Sequence, residues 1–184
     1  MLAIDTQIID VDLLNDEHKT PAFLQKNIFG QVPVIEDGAI TVADSNAILT
    51  YLATRYDASR KWLPENAMDA AEVQRFLSVA SGMVAYGPAA ARLVTVFGAG
   101  LDQHKAIEIA NFVLGKLDAH LQDKQWLATN HPTIADLANY AYIAHAPEGN
   151  ISLQPYPLVR AWLKRIEVLP GFIPMQTTAV GLAA

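Results

Sequence analysis

The sequence predicts an α/β N-terminal domain followed by an all-α C-terminal domain. Strand-like and helix-like segments alternate over the first part of the chain, and strand signals cease after residue 62. Of the 184 residues, 52% are hydrophobic and 17% are charged, which excludes a disordered chain. We therefore place the first domain at 1–57, a linker at 58–66 and the second domain at 67–184.

The first predicted elements are a strand and a short helix. Apolar and acidic residues alternate from Ile9 to Leu13, which is typical of a half-buried strand. Thr20 followed by Pro21 supplies an N-cap and a first helical residue. We expect this helix to end near Asn27.

A strand hairpin and a longer helix come next. Residues 32–36 have the composition of a strand, and the Asp-Gly pair at 37–38 predicts a tight turn into a third strand at 39–42. Asp44 and Ser45 are common N-cap residues, so we expect a helix to begin there.

The second domain is predicted to contain helices separated by glycine and proline. These helices cover residues 67–97, 103–124, 133–145 and 157–170. The first would be bent at Gly87 and Pro88, because proline removes a backbone donor and clashes with the preceding turn. Its charge-free stretch is too short for a membrane span and indicates a buried helix. Thr133 and Asp136 have the spacing of a capping box, which gives Asp136 a structural role.

Composition excludes several classes of function. The formal charge is −6, from 13 basic and 19 acidic residues without a basic cluster, so nucleic acid is a poor candidate partner. The absence of cysteine excludes disulfides, thiolate zinc sites and a cysteine nucleophile from this sequence. The N-terminal residues lack the features of a signal peptide, so we expect a cytoplasmic protein with no membrane partner. Four histidines lack metal-ligand spacing and are interpreted as surface or helix-end residues: His104, His120, His131 and His145.

The motif Q-V-P-V-I at 31–35 has two interpretations. It is an edge strand with a proline near its start. Alternatively, Pro33 is a cis proline that turns the Val32 backbone outward to pair with an extended peptide.

The motif D-S-N-A-I at 44–48 is also ambiguous. Capping of a helix accounts for Asp44 and Ser45 by themselves. A helix start with free backbone donors and a serine hydroxyl is also a carboxylate site, and Asp44 could hold the ammonium of the same amino acid.

These two motifs in this order, followed by helices that include T-I-A-D, resemble the glutathione transferases, and the C-terminal stretch is similar to bacterial members. The resemblance implies a thioredoxin-like first domain that binds glutathione, and a helical domain that forms most of the hydrophobic co-substrate site. It assigns Val32 to backbone pairing with the cysteinyl unit and Pro33 to the cis proline. It assigns Asp44 with Ser45 to the γ-glutamyl end. The positions that match the glycine carboxylate contacts are His18, Lys19 and Gln31.

The resemblance also implies an activity and a way of assembling. The expected reaction adds the glutathione thiol to a hydrophobic electrophile, as in detoxification, with glutathione as co-substrate and no metal. A homodimer is expected. The co-substrate pocket would be lined by Tyr86, Arg92 and Tyr140, although aromatic residues at helical spacing are more often core residues.

The sequence departs from the family pattern at its beginning. The family starts with a strand, a turn that carries the catalytic Ser, Tyr or Cys, and a helix. Here the match begins with the last turn of that helix. The thioredoxin-like domain is therefore expected to be incomplete, and no residue is assigned to catalysis. We expect a start site placed too far downstream or a truncated chain. The alternative is a non-catalytic module that binds a ligand or a protein. Without the central strand, the strands near Ile9 and Val34 would close up, a partner segment would fill the gap, or the domain would be poorly ordered.

Overall fold

The protein is described here by a computed structural model that covers residues 1–183. The chain divides into two compact units, one from Leu2 to Leu63 and one that begins at Pro64. We refer to them as the N-terminal unit and the C-terminal unit.

The N-terminal unit is a small α/β structure built around one hairpin. Its elements are a 3-10 turn at Glu17–Lys19, α1 at Pro21–Leu24, β1 at Val34–Asp37, β2 at Ile40–Ala43 and α2 at Ser45–Tyr56. The two strands are antiparallel, with Val34 opposite Ala43 and Asp37 opposite Ile40. Gly38 has a φ of +61°, a left-handed conformation that favours glycine. The predicted hairpin at this Asp-Gly pair is confirmed.

The predicted strand from Ile9 to Leu13 is wrong. Residues 1–12 have no regular secondary structure, and Ile8 and Ile9 are 86% and 70% exposed. Asp12 instead begins a turn, because its Oδ1 accepts the backbone N–H groups of Leu14 and Asn15, each at 3.1 Å. Within the described residues this segment pairs with neither strand of the hairpin. A half-buried strand needs a neighbouring strand for its backbone groups, and this one has none.

Two helices complete the N-terminal unit. The Thr20 hydroxyl accepts the N–H of Phe23 at 3.3 Å, so the predicted N-cap of α1 is confirmed. Helix α2 packs against both strands and buries Ile48 and Ala53. The hydroxyl groups of Tyr51 and Tyr56 donate to Asp37 at the hairpin turn, which ties α2 to the end of β1.

The C-terminal unit is helical throughout. It contains α3 at Ala67–Val79, a π-helical stretch at Ala80–Ala89, α4 at Ala90–Phe97, α5 at Gln103–His120, α6 at Ile134–Ala144 and α7 at Pro157–Glu167, with 3-10 turns at Leu121–Asp123, Ala146–Gly149 and Gly181–Ala183. Its core includes the fully buried side chains of Trp162, Phe76, Leu114 and Leu127.

The predicted helix at 67–97 is continuous but changes its hydrogen bonding in the middle. The stretch around Gly87 and Pro88 is π-helical, which accommodates a proline that cannot donate. A Cβ on Gly87 would lie 2.8 Å from the backbone nitrogen of Ala110, so the missing side chain allows α5 to approach closely. By length and composition alone this helix could cross a membrane; 44% of its most apolar window is buried in the protein, as in a core helix.

Asp136 has the structural role that its spacing predicts. Its carboxylate accepts the N–H of Thr133 at 2.9 Å, which completes the capping box of α6. The other oxygen accepts the Leu127 N–H and the Trp162 indole N–H, both at 2.9 Å. Burial raises the pKa of Asp136, although these donors oppose the change.

A buried ionic cluster lies between α4 and the 3-10 turn at 146–149. Glu148 receives the Arg92 Nε at 2.7 Å and contacts His145 Nδ1 at 2.6 Å. Of the two alternatives predicted for His145, a surface or a helix-end residue, the structure shows the second: it ends α6 and is only 5% exposed. Its partner Glu148 is only three residues away, but Arg92, which completes the cluster, lies 56 positions before Glu148 in the chain.

Candidate functional site

The 3-10 turn places His18 and Lys19 at the surface of the N-terminal unit. Lys19 is exposed, and its Nζ lies 2.8 Å from Asp16 Oδ1. This hydrogen bond lowers the pKa of Asp16. Because an exposed ion pair contributes little energy, a ligand carboxylate can compete for the lysine. The Nδ1 atom of His18 is buried and has no hydrogen-bond partner within residues 1–183.

The His18 backbone contacts the loop that leads to β1. Gly30 has a φ of +57°, and a Cβ on it would lie 2.9 Å from the carbonyl oxygen of His18. The structure therefore brings the His18 turn next to the segment that begins with Gln31. Two of the sequence-predicted contact regions lie side by side for this reason.

Val32 and Pro33 form an open backbone edge before β1. Their peptide bond is cis, which is the second of the two interpretations of this motif. Val32 is 42% exposed, and its N–H and C=O have no hydrogen-bond partner in the described part of the chain. One donor and one acceptor are thus available to an extended ligand.

Asp44 and Ser45 form the start of α2. Asp44 Oδ1 accepts the N–H groups of Asn46 and Ala47 at 2.9 and 3.0 Å, so the capping interpretation is confirmed. Ser45 is an exposed residue, and its N–H and hydroxyl have no partner among residues 1–183. A helix start with free donors attracts an anion such as a carboxylate. Asp44 has a φ of +78°, which is strained for a residue with a side chain.

The hairpin register relates these two groups to each other. Val34 and Ala43 pair at one end of the sheet, so the residues that flank them, Pro33 and Asp44, lie at that same end. The open backbone edge and the helix start are therefore neighbours. Together they can hold an extended peptide whose terminal amino acid has a free carboxylate.

Asn27 is a residue of this region that sequence reasoning missed. The sequence marked it only as the end of α1, whereas its side chain is buried and hydrogen-bonds twice within the following loop. The available signal was an asparagine three residues before a glycine in a loop without regular structure.

The three residues predicted for a co-substrate pocket do not come together. Arg92 is 8% exposed and pairs with Glu148, and Tyr140 is 6% exposed and donates to Glu167 at 3.0 Å. Burial, with this bond, raises the pKa of Tyr140. Both polar groups therefore already have partners in the core, and the assignment of Arg92 and Tyr140 to the pocket stays a prediction.

Tyr86 is exposed and lines an open apolar cavity of about 640 Å³ within the C-terminal unit. The other lining residues come from the π-helical stretch and from α5: Gly82, Met83, Lys105, Glu108, Ile109 and Phe112. Lys105 and Glu108 are the two charged residues of this lining, and they pair with each other at 3.2 Å. The other lining residues are mostly apolar. Among residues 1–183, no cluster of three or more His, Asp or Glu could hold a metal ion.

The fold and the site geometry define a class of protein: a thioredoxin-like domain with a two-stranded sheet, followed by a helical domain, is the glutathione S-transferase fold. Residues 1–54 match the family described as "Glutathione S-transferase, N-terminal domain", and residues 90–170 match "Glutathione S-transferase, C-terminal domain".

Individual relatives agree with this class. The chain is 30% identical to glutathione S-transferase D7 of Anopheles gambiae, over 90% of this chain and 76% of the relative. It is 33% identical to glutathione S-transferase 3 of Zea mays, over 92% of this chain and 81% of the relative. The chain belongs to the glutathione S-transferase family, which is a family of transferases.

Solved structures show the same relationship. The crystal structure of glutathione S-transferase from Pseudomonas fluorescens superposes with a TM-score of 0.80 at 31% identity, covering 89% of this chain and 83% of that one. A glutathione transferase homolog from Drosophila mojavensis, solved with bound glutathione, has a TM-score of 0.75 at 29% identity, covering 88% and 75%.

Proposed function

We propose that the N-terminal unit binds glutathione and that the protein transfers it to a hydrophobic electrophile. The observation that carries the proposal is the open Val32 backbone edge beside the free Ser45 donors, at one end of the hairpin. Glutathione is an extended peptide whose γ-glutamyl end carries a free α-amino acid group. Both features of the ligand thus have matching groups in the unit.

Each proposed contact has a physical basis. The Val32 N–H and C=O pair with the cysteinyl backbone. The γ-glutamyl carboxylate lies at the Ser45 donors, and the second Asp44 oxygen, which does not cap the helix, receives the ammonium. The glycine carboxylate is held at the other end by His18, Lys19 and Gln31. Lys19 supplies the charge and Gln31 a neutral donor.

The proposed reaction breaks the S–H bond of glutathione, whose proton goes to solvent, and forms a bond between the sulfur and an electrophilic carbon. The electrophile accepts the electron pair by opening a π bond in an addition, or by releasing a leaving group such as a halide in a substitution. Of the predicted pocket residues, Tyr86 remains as a co-substrate contact, because it is exposed and lines an apolar cavity. A cavity of about 640 Å³ lies within the usual size range of small-molecule sites.

A second function is binding without catalysis. Ser45 is the only hydroxyl residue among the seven proposed glutathione contacts, and it stands at a helix start where a carboxylate is held. No contact residue is therefore left to stabilise a thiolate. This module would bind glutathione without accelerating its reaction.

The remaining features are proposals drawn from the sequence and from the family. We propose domains at 1–57 and 67–184 with a linker at 58–66, a cytoplasmic homodimer, and a role in detoxification. Glutathione is the proposed co-substrate, without a metal ion.

Calorimetric titration with glutathione tests the site. We expect the dissociation constant to rise by roughly tenfold in Ser45→Ala and in Asp44→Ala, because each variant removes a bond to a charged group. Ser59→Ala changes a serine elsewhere in the same unit and is the matched control for Ser45→Ala. Unchanged affinity in both site variants would contradict the assignment.

Conjugation of glutathione to an aryl halide separates the two functions. The sulfur bonds to the ring carbon and the halide leaves with its electron pair. A transferase should make the rate of halide release higher than the rate in buffer without the protein. Glutathione binding without such acceleration would favour the module and contradict the transferase.

A further inference from the structure

The backbone edge at Val32 belongs to a loop without regular secondary structure. Residues 25–33 connect α1 to β1, and backbone hydrogen bonds hold only their first part, up to the bond from Gly30 N to Asn27 O at 2.9 Å. The orientation of Gln31 and Val32 therefore depends on side chains.

Asn27 supplies both of the side-chain hydrogen bonds within this loop. Its Oδ1 accepts the Phe29 N–H at 3.0 Å, and its Nδ2 donates to the Gln31 carbonyl oxygen at 2.8 Å. Asn27 is only 8% exposed, so water competes poorly for either bond. One buried amide thus spans the loop from Phe29 to Gln31.

The bond to Gln31 also determines the direction of the next N–H. The peptide between Gln31 and Val32 is trans, and in a trans peptide the C=O and the following N–H point in opposite directions. Because the Gln31 carbonyl points inward to Asn27, the Val32 N–H points away from the buried amide. This is the N–H that has no partner within the described residues.

Gly30 supports the same arrangement from the other side. Any side chain there would collide with the carbonyl oxygen of His18, at 2.9 Å from its Cβ, and with Leu24 Cδ2 at 3.3 Å. Gly30 therefore sets the spacing between the His18 turn and the Gln31 segment.

We propose that Asn27 is a positioning residue for glutathione: it orients the Gln31–Val32 peptide so that the Val32 N–H faces the ligand. The proposal rests on the proposed glutathione site. Asn27 itself touches no ligand, and its effect reaches the ligand only through the Val32 N–H.

Asn27→Asp tests this role with little change of shape. The new carboxylate keeps the acceptor for Phe29 but repels the Gln31 carbonyl, which removes the bond that orients the peptide. We expect the glutathione dissociation constant to rise by about tenfold, the factor of one lost hydrogen bond. Gln25→Glu makes the same amide-to-acid change at an exposed position two residues away and should leave affinity within about twofold. The titrations are performed under conditions in which circular dichroism shows that each variant is folded.

A second measurement uses only the parent protein, in case Asn27→Asp does not fold. Amide exchange by NMR is recorded with and without saturating glutathione. We expect the Val32 amide to exchange at least about tenfold more slowly with glutathione, since it gains a partner. The Phe29 and Gly30 amides, which already have partners, should change little.

These outcomes distinguish the positioning role of Asn27 from the proposed glutathione binding on which it rests. Parent binding with unchanged affinity in Asn27→Asp, or with an unaffected Val32 amide, overturns the positioning role and leaves glutathione binding in place. A parent protein that does not bind glutathione overturns both.

Discussion

Neutralising Glu148 should destabilise the C-terminal unit strongly. Glu148→Gln keeps the shape of the side chain but removes the charge that balances Arg92, and both side chains are at most 10% exposed. Breaking a buried ion pair from one side costs roughly 3–5 kcal/mol, because the remaining charge has lost its partner.

The pKa of Glu148 leads to a similar magnitude. Burial by itself raises this pKa, but the bonds from His145, Thr178 and Arg92 outweigh it and lower the pKa from 4.5 to about 2. At ~1.4 kcal/mol per pKa unit, this difference corresponds to about 3 kcal/mol of folding free energy.

The sign of the pH dependence follows from the lowered pKa. A carboxyl group with a folded-state pKa below its unfolded-state value stabilises the protein above the unfolded pKa, and this contribution disappears as the pH falls to the folded pKa. The contribution of Glu148 should therefore be complete above pH 4.5 and decline toward about pH 2.

Urea unfolding followed by circular dichroism measures this effect. At pH 7 we expect the free energy of unfolding of Glu148→Gln to lie about 3 kcal/mol below that of the parent, and the gap to narrow below pH 4.5. Glu72→Gln is the matched control, since Glu72 pairs with Arg75 on the exposed surface of α3 and should cost at most ~0.5 kcal/mol. A gap below about 1 kcal/mol at pH 7, or one that widens in acid, would refute the reasoning.

Two further stability predictions concern the C-terminal unit. Gly87→Ala should lower the free energy of unfolding by about 1–3 kcal/mol, because its Cβ would lie 2.8 Å from Ala110 N. Gly82→Ala is the control, since its Cβ would have nothing within 4 Å, and equal urea midpoints for the two variants would contradict the close approach of α5. Asp136→Asn should cost about 1–3 kcal/mol by urea unfolding, since its amide nitrogen would face the Thr133 N–H as donor against donor, and a loss below about 0.5 kcal/mol would show that the capping box contributes little.

Elements with local signals were predictable from the sequence. The turn at Gly38, the N-cap at Thr20 and the capping box at Thr133 all depend on hydrogen bonds within a few residues, so the residues that make these bonds are adjacent in the sequence. The same is true of the helix start at Asp44, whose side chain accepts the N–H groups of Asn46 and Ala47.

Features that need a distant partner were decided by the tertiary structure. Residues 9–13 alternate like a strand, but alternation does not supply the neighbouring strand that its backbone groups require. Only the fold places Glu148, 56 positions away in the chain, against the guanidinium of Arg92. Asn27 differs from residues 9–13 and from Arg92, because its hydrogen-bond partners are near in the sequence. The strength of those hydrogen bonds depends on the burial of its side chain, which the fold decides. Periodicity and capping are properties of a short segment, whereas burial and the pairing of charges arise only when separate segments pack together.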